Sequence, residues 1–335
     1  MTLGLLLLQF VLCALLIARA GYMLCVSADR IAQATGLSRG WVGLALLATV
    51  TSLPELASGI SAVAVVDAPN LAVGNALGAC VFNLLFLVVI DTLQRQQPIY
   101  QRASAAHLLS AAFGVVMLGF VAMSLVLGKG APALLHLGLV SPLLLALYLL
   151  ALRSVFAHER ELKRSLELPD VAPPAASPRR PRQDWLRFGT AALVVLAAGT
   201  WLPTLGDELA QAMGWSRSFV GTLFMAFVTT LPEMAVTLSA LRLGALDMAF
   251  GNLLGSNLFN VMILAVDDAF YRRGPLLADA EPVHAGTAVA AIVMTGLVMI
   301  GLVMRPQGRV LRVLSWVSVG LVAAYLMHGT LLALA

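Results

Sequence analysis

The sequence predicts an all-α membrane protein in which ten transmembrane helices form two inverted five-helix repeats. Of its 335 residues, 60% are apolar and only 11% are charged, whereas soluble domains carry about 25% charged residues. Apolar runs recur from Leu3 to Leu334, and at about 20 residues each is long enough to cross a hydrocarbon core of ~30 Å. An internal repeat of the sequence, described below, indicates the inverted arrangement.

Hydropathy places the ten spans between short polar or Gly/Pro turns. Their approximate bounds are 3–28, 40–65, 69–92, 104–127, 132–152, 188–205, 217–242, 246–269, 283–304 and 309–333. The series is interrupted at 154–186, where a charged, proline-rich composition cannot bury a core. We therefore expect a first repeat at 1–153, a linker at 154–186 and a second repeat at 187–335.

The distribution of basic residues predicts the orientation in the membrane. With the N-terminus outside, the inner loops and the linker collect sixteen of the 21 Lys and Arg residues, and the outer loops receive four. Because cytoplasmic loops are enriched in Lys and Arg, both termini should lie outside and the linker 154–186 in the cytoplasm. The net charge of +4 is dispersed between apolar runs, so it does not indicate a nucleic-acid partner.

Several residue types that often mark a site are expected to be structural here. The cysteines are three in number, which is odd, and their spacing matches neither a disulfide framework nor a zinc-binding motif, so they indicate neither disulfides nor a zinc site. They are Cys13, Cys25 and Cys80. Packing or interface roles are expected for His107, His136, His284 and His328. Solvated positions at span ends are expected for Asp91, Asp267 and Asp268.

The internal repeat is the strongest signal in the chain. Asp29–Glu55 reads DRIAQATGLSRGWVGLALLATVTSLPE, and Asp207–Glu233 reads DELAQAMGWSRSFVGTLFMAFVTTLPE, without a gap. The match resumes one residue out of phase, with Gly74–Asn83 against Gly251–Asn260. Since each unit holds an odd number of spans, the second must enter the membrane from the opposite side, as in secondary transporters whose site lies at the repeat interface.

Each repeat carries a Pro-Glu break inside an apolar run, Thr51-Ser52-Leu53-Pro54-Glu55 and Thr229-Thr230-Leu231-Pro232-Glu233. The prolines cannot donate to the carbonyls of Val50 and Val228, so the helix breaks and carbonyl oxygens become available. A carboxylate at the middle of the membrane costs about 2.5–3.5 kcal/mol on insertion scales. Because these segments contain no Lys or Arg, the compensating charge is most simply a bound ion or proton.

The side chains at this depth form a set of oxygen ligands, with no thiol or imidazole expected among them. They are the carboxylates of Glu55 and Glu233, the hydroxyls of Thr51, Ser52, Thr229, Thr230 and Ser256, and the amides of Asn83 and Asn260. Hard ligands of this kind suit calcium and sodium. Two glutamates neutralise one divalent or two monovalent cations, and competition for one site is the basis of exchange.

Both repeats resemble the alpha-repeats of the cation/calcium exchanger superfamily, especially its sodium/calcium exchanger branch. The family pattern is Gly-Thr-Ser-x-Pro-Glu followed by Gly-Asn-x-x-Gly-Ser, twice, and its matches lie within 29–83 and 207–260. The resemblance implies a multi-pass antiporter of an inner or plasma membrane that moves calcium and sodium, with no cofactor and no obligatory protein partner. It also implies that the nine side chains above ligate the ions together with the backbone carbonyls of Ala48 and Ala226. The missing amide hydrogens of the two prolines would instead free the carbonyls of Val50 and Val228, so both pairs of carbonyls stay open as ligands.

The sequence departs from the family at four positions. Val50 and Val228 replace the glycine that precedes the Thr, Ala79 replaces a hydroxyl residue, and Asn260 stands where the sodium/calcium branch often has an aspartate. The stoichiometry of three sodium ions per calcium is therefore in doubt, and protons or fewer sodium ions stay open as the counter-substrate. A passive channel is less favoured because polarity is concentrated at one level. An enzyme is disfavoured because Ser52 and Glu55 have no partner His or Lys.

Overall fold

The structure is a computed structural model that describes residues 3–35, 48–94, 97–165, 181–242, 244, 246–310 and 313–334. Its first half contains α1 (Leu3–Thr35), α2 (Ala48–Thr51), α3 (Leu53–Ala64), α4 (Pro69–Leu93), α5 (Ile99–Arg102), α6 (His107–Leu127) and α7 (Val140–Ser165). Its second half contains α8 (Pro181–Met213), α9 (Arg217–Phe219), a π-helical segment (Val220–Met225), α10 (Ala226–Thr229), α11 (Leu231–Arg242), α12 (Leu246–Phe270), α13 (Leu276–Asp279), α14 (Val283–Met304) and α15 (Trp316–Leu334). The protein is therefore an all-α membrane protein, as predicted.

Among the described residues, seven helices are long and apolar enough to cross a membrane. The number is eight if Arg217–Thr229 and Leu231–Arg242, which meet at 42°, form one broken span. Leu53–Ala64 and Trp316–Leu332 are shorter apolar helices. Helical segments occur in all ten predicted intervals, but seven or eight pass the length test, so the ten-span count and the inverted arrangement stay predictions.

The two helix boundaries at the linker differ from those predicted. Helix α7 continues to Ser165 and α8 begins at Pro181, so both extend into the predicted linker, whose residues 166–180 lie outside the described chain. Glu, Lys and Arg are good helix formers, and proline is favoured in the first helical turn. A charged composition thus prevents burial in a core without preventing a helix.

The predicted fifth span begins eight residues late. Ala133–Leu134 and Leu137–Gly138 form a small antiparallel hairpin, and α7 starts only at Val140. Leu135, between the two strands, has a left-handed φ of 59°, which ends any regular helix. Hydropathy counts apolar residues and does not register such a turn.

The two Gly-Asn helices, α4 and α12, lie at the centre of the molecule. In the most apolar 18 residues of each of these two helices, 89% are buried. In the other helices that are long enough to span a membrane, the share is 28–44%. Those outer helices expose leucine and valine side chains such as Leu8, Val126 and Leu193. This distribution is that of a helical bundle whose outer surface faces lipid and whose polar residues are enclosed.

The first helix of each half packs against the broken helix of the other half. A Cβ at Gly21 in α1 would lie 2.3 Å from Pro232 Cγ, and one at Gly199 in α8 would lie 3.2 Å from the Pro54 carbonyl oxygen. Gly199 follows Gly21 by the same 178 positions that separate Pro232 from Pro54. The absence of a side chain at either glycine lets the covering helix touch the break.

Asp91 at the end of α4 is buried and fully hydrogen-bonded, so the predicted solvated position is wrong. Its Oδ1 accepts a bond from the Ile99 amide (3.2 Å), and its Oδ2 accepts bonds from the Ser315 amide (2.8 Å) and the Ser318 hydroxyl (2.7 Å). These donors come from the segment after α4 and from the start of α15. Asp91 thus ties three segments of the bundle together.

Asp268 at the end of α12 repeats this arrangement and is likewise buried rather than solvated. Its carboxylate accepts bonds from the Leu276 amide (2.6 Å), the Gly138 amide (2.9 Å) and the Ser141 hydroxyl (2.5 Å). Each residue of this set differs from its counterpart around Asp91 by 177 positions. We call Asp91 and Asp268 with their donors the two clasps.

Candidate cation site

Both predicted Pro-Glu breaks occur in the structure. Helix α2 ends at Thr51, Ser52 adopts a φ of −89° and a ψ of 13°, and α3 begins with Pro54 in its first turn. In the second half α10 ends at Thr229, Thr230 adopts a φ of −80° and a ψ of −4°, and α11 begins at Leu231. Proline supplies no amide hydrogen to the preceding turn, which explains a break at this place in both halves.

Each glutamate lies among hydroxyl groups of the opposite break. The Ser52 hydroxyl donates to Glu233 Oε1 at 2.7 Å, and Thr51 and Ser256 also face that carboxylate. The remaining predicted hydroxyl ligands, Thr229 and Thr230, face Glu55. The two glutamates are close enough to repel each other when charged. Both are fully buried, so the structure brings the predicted carboxylates and hydroxyls together.

Three carboxylate oxygens in this cluster have no hydrogen-bond partner among the described residues: both oxygens of Glu55 and Oε2 of Glu233. The hydroxyls that face Glu55 donate elsewhere, that of Thr230 to the Ala226 carbonyl (2.5 Å) and that of Thr229 to Asn75 Oδ1 (3.1 Å). A buried charge without a partner is costly. These oxygens are therefore available to a cation.

The carbonyls of Ala48 and Ala226 occupy equivalent places before the two breaks. Ala48 O accepts bonds from the Ser52 amide and the Thr51 hydroxyl, each at 3.2 Å. Ala226 O accepts bonds from the Thr230 amide (3.1 Å) and from two threonine hydroxyls. Through these bonds both carbonyls hold the hydroxyl ligands in place. Their direct ligation of an ion stays a prediction.

The two predicted amide ligands are buried and only partly hydrogen-bonded. Asn83 donates from Nδ2 to Asn257 Oδ1 at 2.9 Å, whereas its own Oδ1 has no partner in the part of the chain that the structure describes. Neither amide atom of Asn260 has a partner among the described residues. Ser256, one turn before Asn260, lies 3.4 Å from the Thr51 hydroxyl. Both predicted amide ligands thus have an oxygen that no described residue uses.

Asn75 belongs to the site although the sequence analysis did not select it. It accepts a bond from Thr229 and donates from Nδ2 to the Ser58 hydroxyl at 2.7 Å, and that hydroxyl donates to the Glu55 carbonyl at 3.0 Å. Its repeat counterpart Asn252 donates to the Glu233 carbonyl at 3.3 Å. The Gly-Asn pair present in both repeats was the signal for these two residues.

Cys80 is also near the site, so the expectation of no thiol at this depth is wrong. Its side chain is buried, interacts electrostatically with Glu55, and points its thiol at the Asn257 carbonyl at 3.7 Å. Asn257 returns a bond from Nδ2 to the Cys80 carbonyl at 3.2 Å. The described residues contain no group of three or more His, Cys, Asp or Glu side chains that could hold a metal ion. The site is therefore oxygen-rich, with two carboxylates.

A helical membrane fold with two broken helices and a buried pair of carboxylates is consistent with a cation antiporter. The chain belongs to the sodium/calcium exchanger protein family, whose family model matches residues 5–156 and 184–331. A curated relative described as "Putative antiporter CaxA", from Alkalimonas amylolytica, is 29% identical over 258 residues, which are 70% of this chain and 71% of the relative. A second, "Inner membrane protein YrbG" from Escherichia coli strain K12, is 27% identical over 258 residues, 75% of each chain.

The fold is shared with a solved exchanger structure. The sodium/calcium exchanger from Methanococcus jannaschii superposes with a TM-score of 0.59, covering 96% of each chain at 22% sequence identity. At that identity the likeness shows a common fold.

Proposed function

We propose that the chain is a secondary active antiporter that exchanges calcium, or a similar divalent cation, for sodium at one site formed by Glu55 and Glu233. The observation that carries the proposal is the fully buried pair of carboxylates, three of whose oxygens have no hydrogen-bond partner among the described residues. Two adjacent negative charges on which no basic side chain of the described chain acts require two positive charges. One divalent ion or two monovalent ions meet that requirement.

The ligand chemistry favours calcium over softer divalent metals. Calcium takes six to eight oxygen ligands from carboxylates, amides and carbonyls. The Glu233 carboxylate faces the hydroxyls of Thr51, Ser52 and Ser256. The buried amides of Asn83 and Asn260, which the family resemblance implies as ligands, each have an oxygen without a partner among the described residues. Soft metals prefer thiolate and imidazole ligands. Cys80 supplies one thiol, and its contact is with a backbone carbonyl. Sodium uses the same kind of oxygen ligand, so the two ions compete.

Alternating access is supported by the repeated contacts. The clasps and the glycine–proline contacts recur at offsets of 177 and 178 residues, which is what two related halves with a shared interface would produce. In the proposed topology the halves are inverted, the termini lie outside and the linker 154–186 lies in the cytoplasm. The site would then open to one side at a time as the halves rearrange.

Proton-coupled calcium exchange is the second candidate, and two residues favour it. Ala79 offers no side-chain oxygen, and Asn260 is a buried neutral amide with both polar atoms unpartnered. The central site therefore has fewer groups for additional sodium ions than the family pattern provides. Two protons could replace one calcium ion on the two glutamates.

Calcium flux in proteoliposomes tests the proposal and separates the two candidates. The purified protein is reconstituted, and calcium uptake is followed with an outward sodium gradient, an outward proton gradient or neither. We expect uptake to require the sodium gradient. Uptake that follows only the proton gradient would select the second candidate, and uptake that needs neither gradient would contradict antiport.

A further inference from the structure

Asp267 is a fully buried carboxylate, so its predicted solvated position is wrong, and the central site does not use it. Neither of its oxygens has a hydrogen-bond partner among the described residues, and none of the ion pairs formed by those residues includes it. The neighbouring Asp268 and its counterpart Asp91 are equally buried, but each accepts three hydrogen bonds. Asp267 thus has the surroundings of Glu55 rather than those of the clasps.

Helix α3 packs along α12, and this interface runs from the central site towards Asp267. Near the central site the hydroxyl of Thr51, the last residue of α2 before the break, lies 3.4 Å from that of Ser256 on α12. Further along, a Cβ on Gly59 of α3 would lie 2.4 Å from Asp267 Oδ2 and 2.6 Å from Oδ1. The second contact lies later than the first in both chain segments, so the segments run side by side in the same direction.

Helix geometry gives the spacing along this interface. Gly59 is one turn beyond Glu55 on the same face of α3, and Asp267 is three turns, about 16 Å, beyond Ser256 on α12. The carboxylate therefore lies at the end of the interface where both helices finish. Gly59 provides the space that it occupies, because any side chain there would collide with it.

Among the described residues, no basic side chain acts electrostatically on Asp267 to balance its negative charge. The side chain that does act on it is Asp268, and this interaction between like charges is repulsive. On α3, which packs against it at Gly59, the ionisable residue is Glu55. A negative charge enclosed in this way is stable only with a cation beside it or a proton on it.

Asp267 also breaks the symmetry of the two halves. Its counterpart at an offset of 177 is Ile90, a buried apolar residue, whereas Asp91 and Asp268 match. A carboxylate required by the fold would be expected in both halves, as the clasps are. Its presence in the second half alone adds one negative charge to those of Glu55 and Glu233. In the same chain, Asn260 lacks the negative charge of the aspartate that the sodium/calcium branch often has at that position.

We propose that Asp267 forms a second cation site, which takes one monovalent ion of sodium's kind at the end of the interface between α3 and α12. The ion is coupled to exchange at Glu55 and Glu233, so the proposal rests on the proposed function. Its charge brings the total that the buried carboxylates can balance from two to three.

Sodium binding in a variant without the central site tests this proposal independently of transport. In Glu55→Gln/Glu233→Gln, sodium should still raise the melting temperature in detergent, because a ligand that binds only the folded state stabilises it by RT ln(1 + [L]/Kd). Adding Asp267→Asn should abolish that rise, and adding Glu208→Gln, which neutralises an exposed carboxylate on α8, should preserve it. Lithium and potassium series at constant ionic strength separate binding from a general salt effect.

The transport test uses Asp267→Asn, Asp267→Glu and Gly59→Ala in the otherwise unchanged chain. We expect Asp267→Asn to leave calcium affinity within about threefold, while the sodium dependence of calcium flux loses steepness by one ion; a threefold change is below 1 kcal/mol. Asp267→Glu should retain the steepness. Gly59→Ala displaces the carboxylate without removing its charge and should raise the sodium concentration for half-maximal flux.

Three results would overturn the proposal. They are a sodium-induced rise in melting temperature that persists after Asp267→Asn, a steepness of sodium dependence unchanged by that substitution, and stabilisation that follows pH alone, which would identify a protonated structural carboxyl. Failure of the proposed function has a different signature, namely calcium flux that survives Glu55→Gln.

Discussion

The glutamates of the two breaks and the aspartates of the two clasps are equally buried, yet their surroundings are opposite. Asp91 and Asp268 each accept three bonds from backbone amides and serine hydroxyls. From the described residues Glu55 accepts none, and Glu233 accepts one, from Ser52. Burial alone therefore does not distinguish the clasp carboxylates from those of the proposed site, whereas the number of oxygens without a described partner does.

Removing the charge of either glutamate should have the largest effect on transport. With Glu55→Gln or Glu233→Gln the site keeps one negative charge against the two of calcium. Losing one partner of a buried ionic interaction costs about 3–5 kcal/mol, so calcium affinity should fall at least about 100-fold. Calcium flux into proteoliposomes should then equal the background of empty vesicles.

Both glutamine variants should still fold, since they remove a buried charge without changing the shape of the side chain. Expression and melting temperature in detergent provide that control, and Glu208→Gln is the matched neutralisation at an exposed position. Calcium uptake at the parental rate with either variant would show that the site lies elsewhere.

Removing a clasp carboxylate should have the reverse effect. Asp91→Ala or Asp268→Ala leaves two backbone amides and one serine hydroxyl without an acceptor, and each unsatisfied buried group costs about 1–3 kcal/mol. We expect a large fall in melting temperature, with near-parental calcium affinity in the protein that remains folded. Binding to detergent-purified protein measures that affinity. A stable Asp268→Ala protein with weakened calcium binding would break the comparison.

Restoring the family residues should have a smaller effect that sharpens the difference between the two kinds of carboxylate. Ala79→Ser with Asn260→Asp adds one hydroxyl and one charge beside Glu55 and Glu233. Sodium dependence of calcium flux should become stronger, because the central site then accommodates more monovalent charge. The measurement is flux at clamped membrane potential across a sodium series, and an unchanged sodium dependence would show that these positions do not set coupling.

Orientation decides which face of the membrane each clasp occupies, and its test should leave transport unchanged. In the predicted topology the Asp91 clasp is cytoplasmic, the Asp268 clasp is on the outer face, and Ser177 in the linker is inside. A Ser177→Cys variant should therefore resist an impermeant thiol reagent applied to intact cells and react after lysis. Cys13 and Cys80 are buried, and the unsubstituted chain measures the background. Labelling from outside would exchange the two faces.

The Pro-Glu breaks could be predicted from sequence because their cause is local. A proline four residues after a carbonyl in an apolar run breaks the helix whatever surrounds it, and both breaks occur in the structure at the expected residues. Because the Pro-Glu segment occurs in both repeats, the sequence also predicted that the hydroxyls would lie around the two glutamates at a shared site. The same repeated segments carried the resemblance to the exchanger family.

The aspartates at the span ends were predicted wrongly because their partners are distant in sequence. Asp91 accepts a hydrogen bond from the Ser315 amide, and Asp268 accepts one from the Gly138 amide. Hydropathy does not indicate that the segments containing Ser315 and Gly138 pack against the ends of α4 and α12. Cys80 was missed for a different reason. Its repeat counterpart is Asn257, so the comparison of the two halves gave no signal at that position.

The crossed packing of Gly21 on Pro232 and of Gly199 on Pro54 has a consequence for biosynthesis. Membrane segments are inserted in chain order, so α3 with Glu55 enters the bilayer before α8, the helix that covers its break, has been made. The break in the first half is therefore not covered by α8 until the second half has been inserted, and final packing follows that step. Two separately expressed halves, divided within 166–180, should accordingly be degraded when made singly and should accumulate when made together.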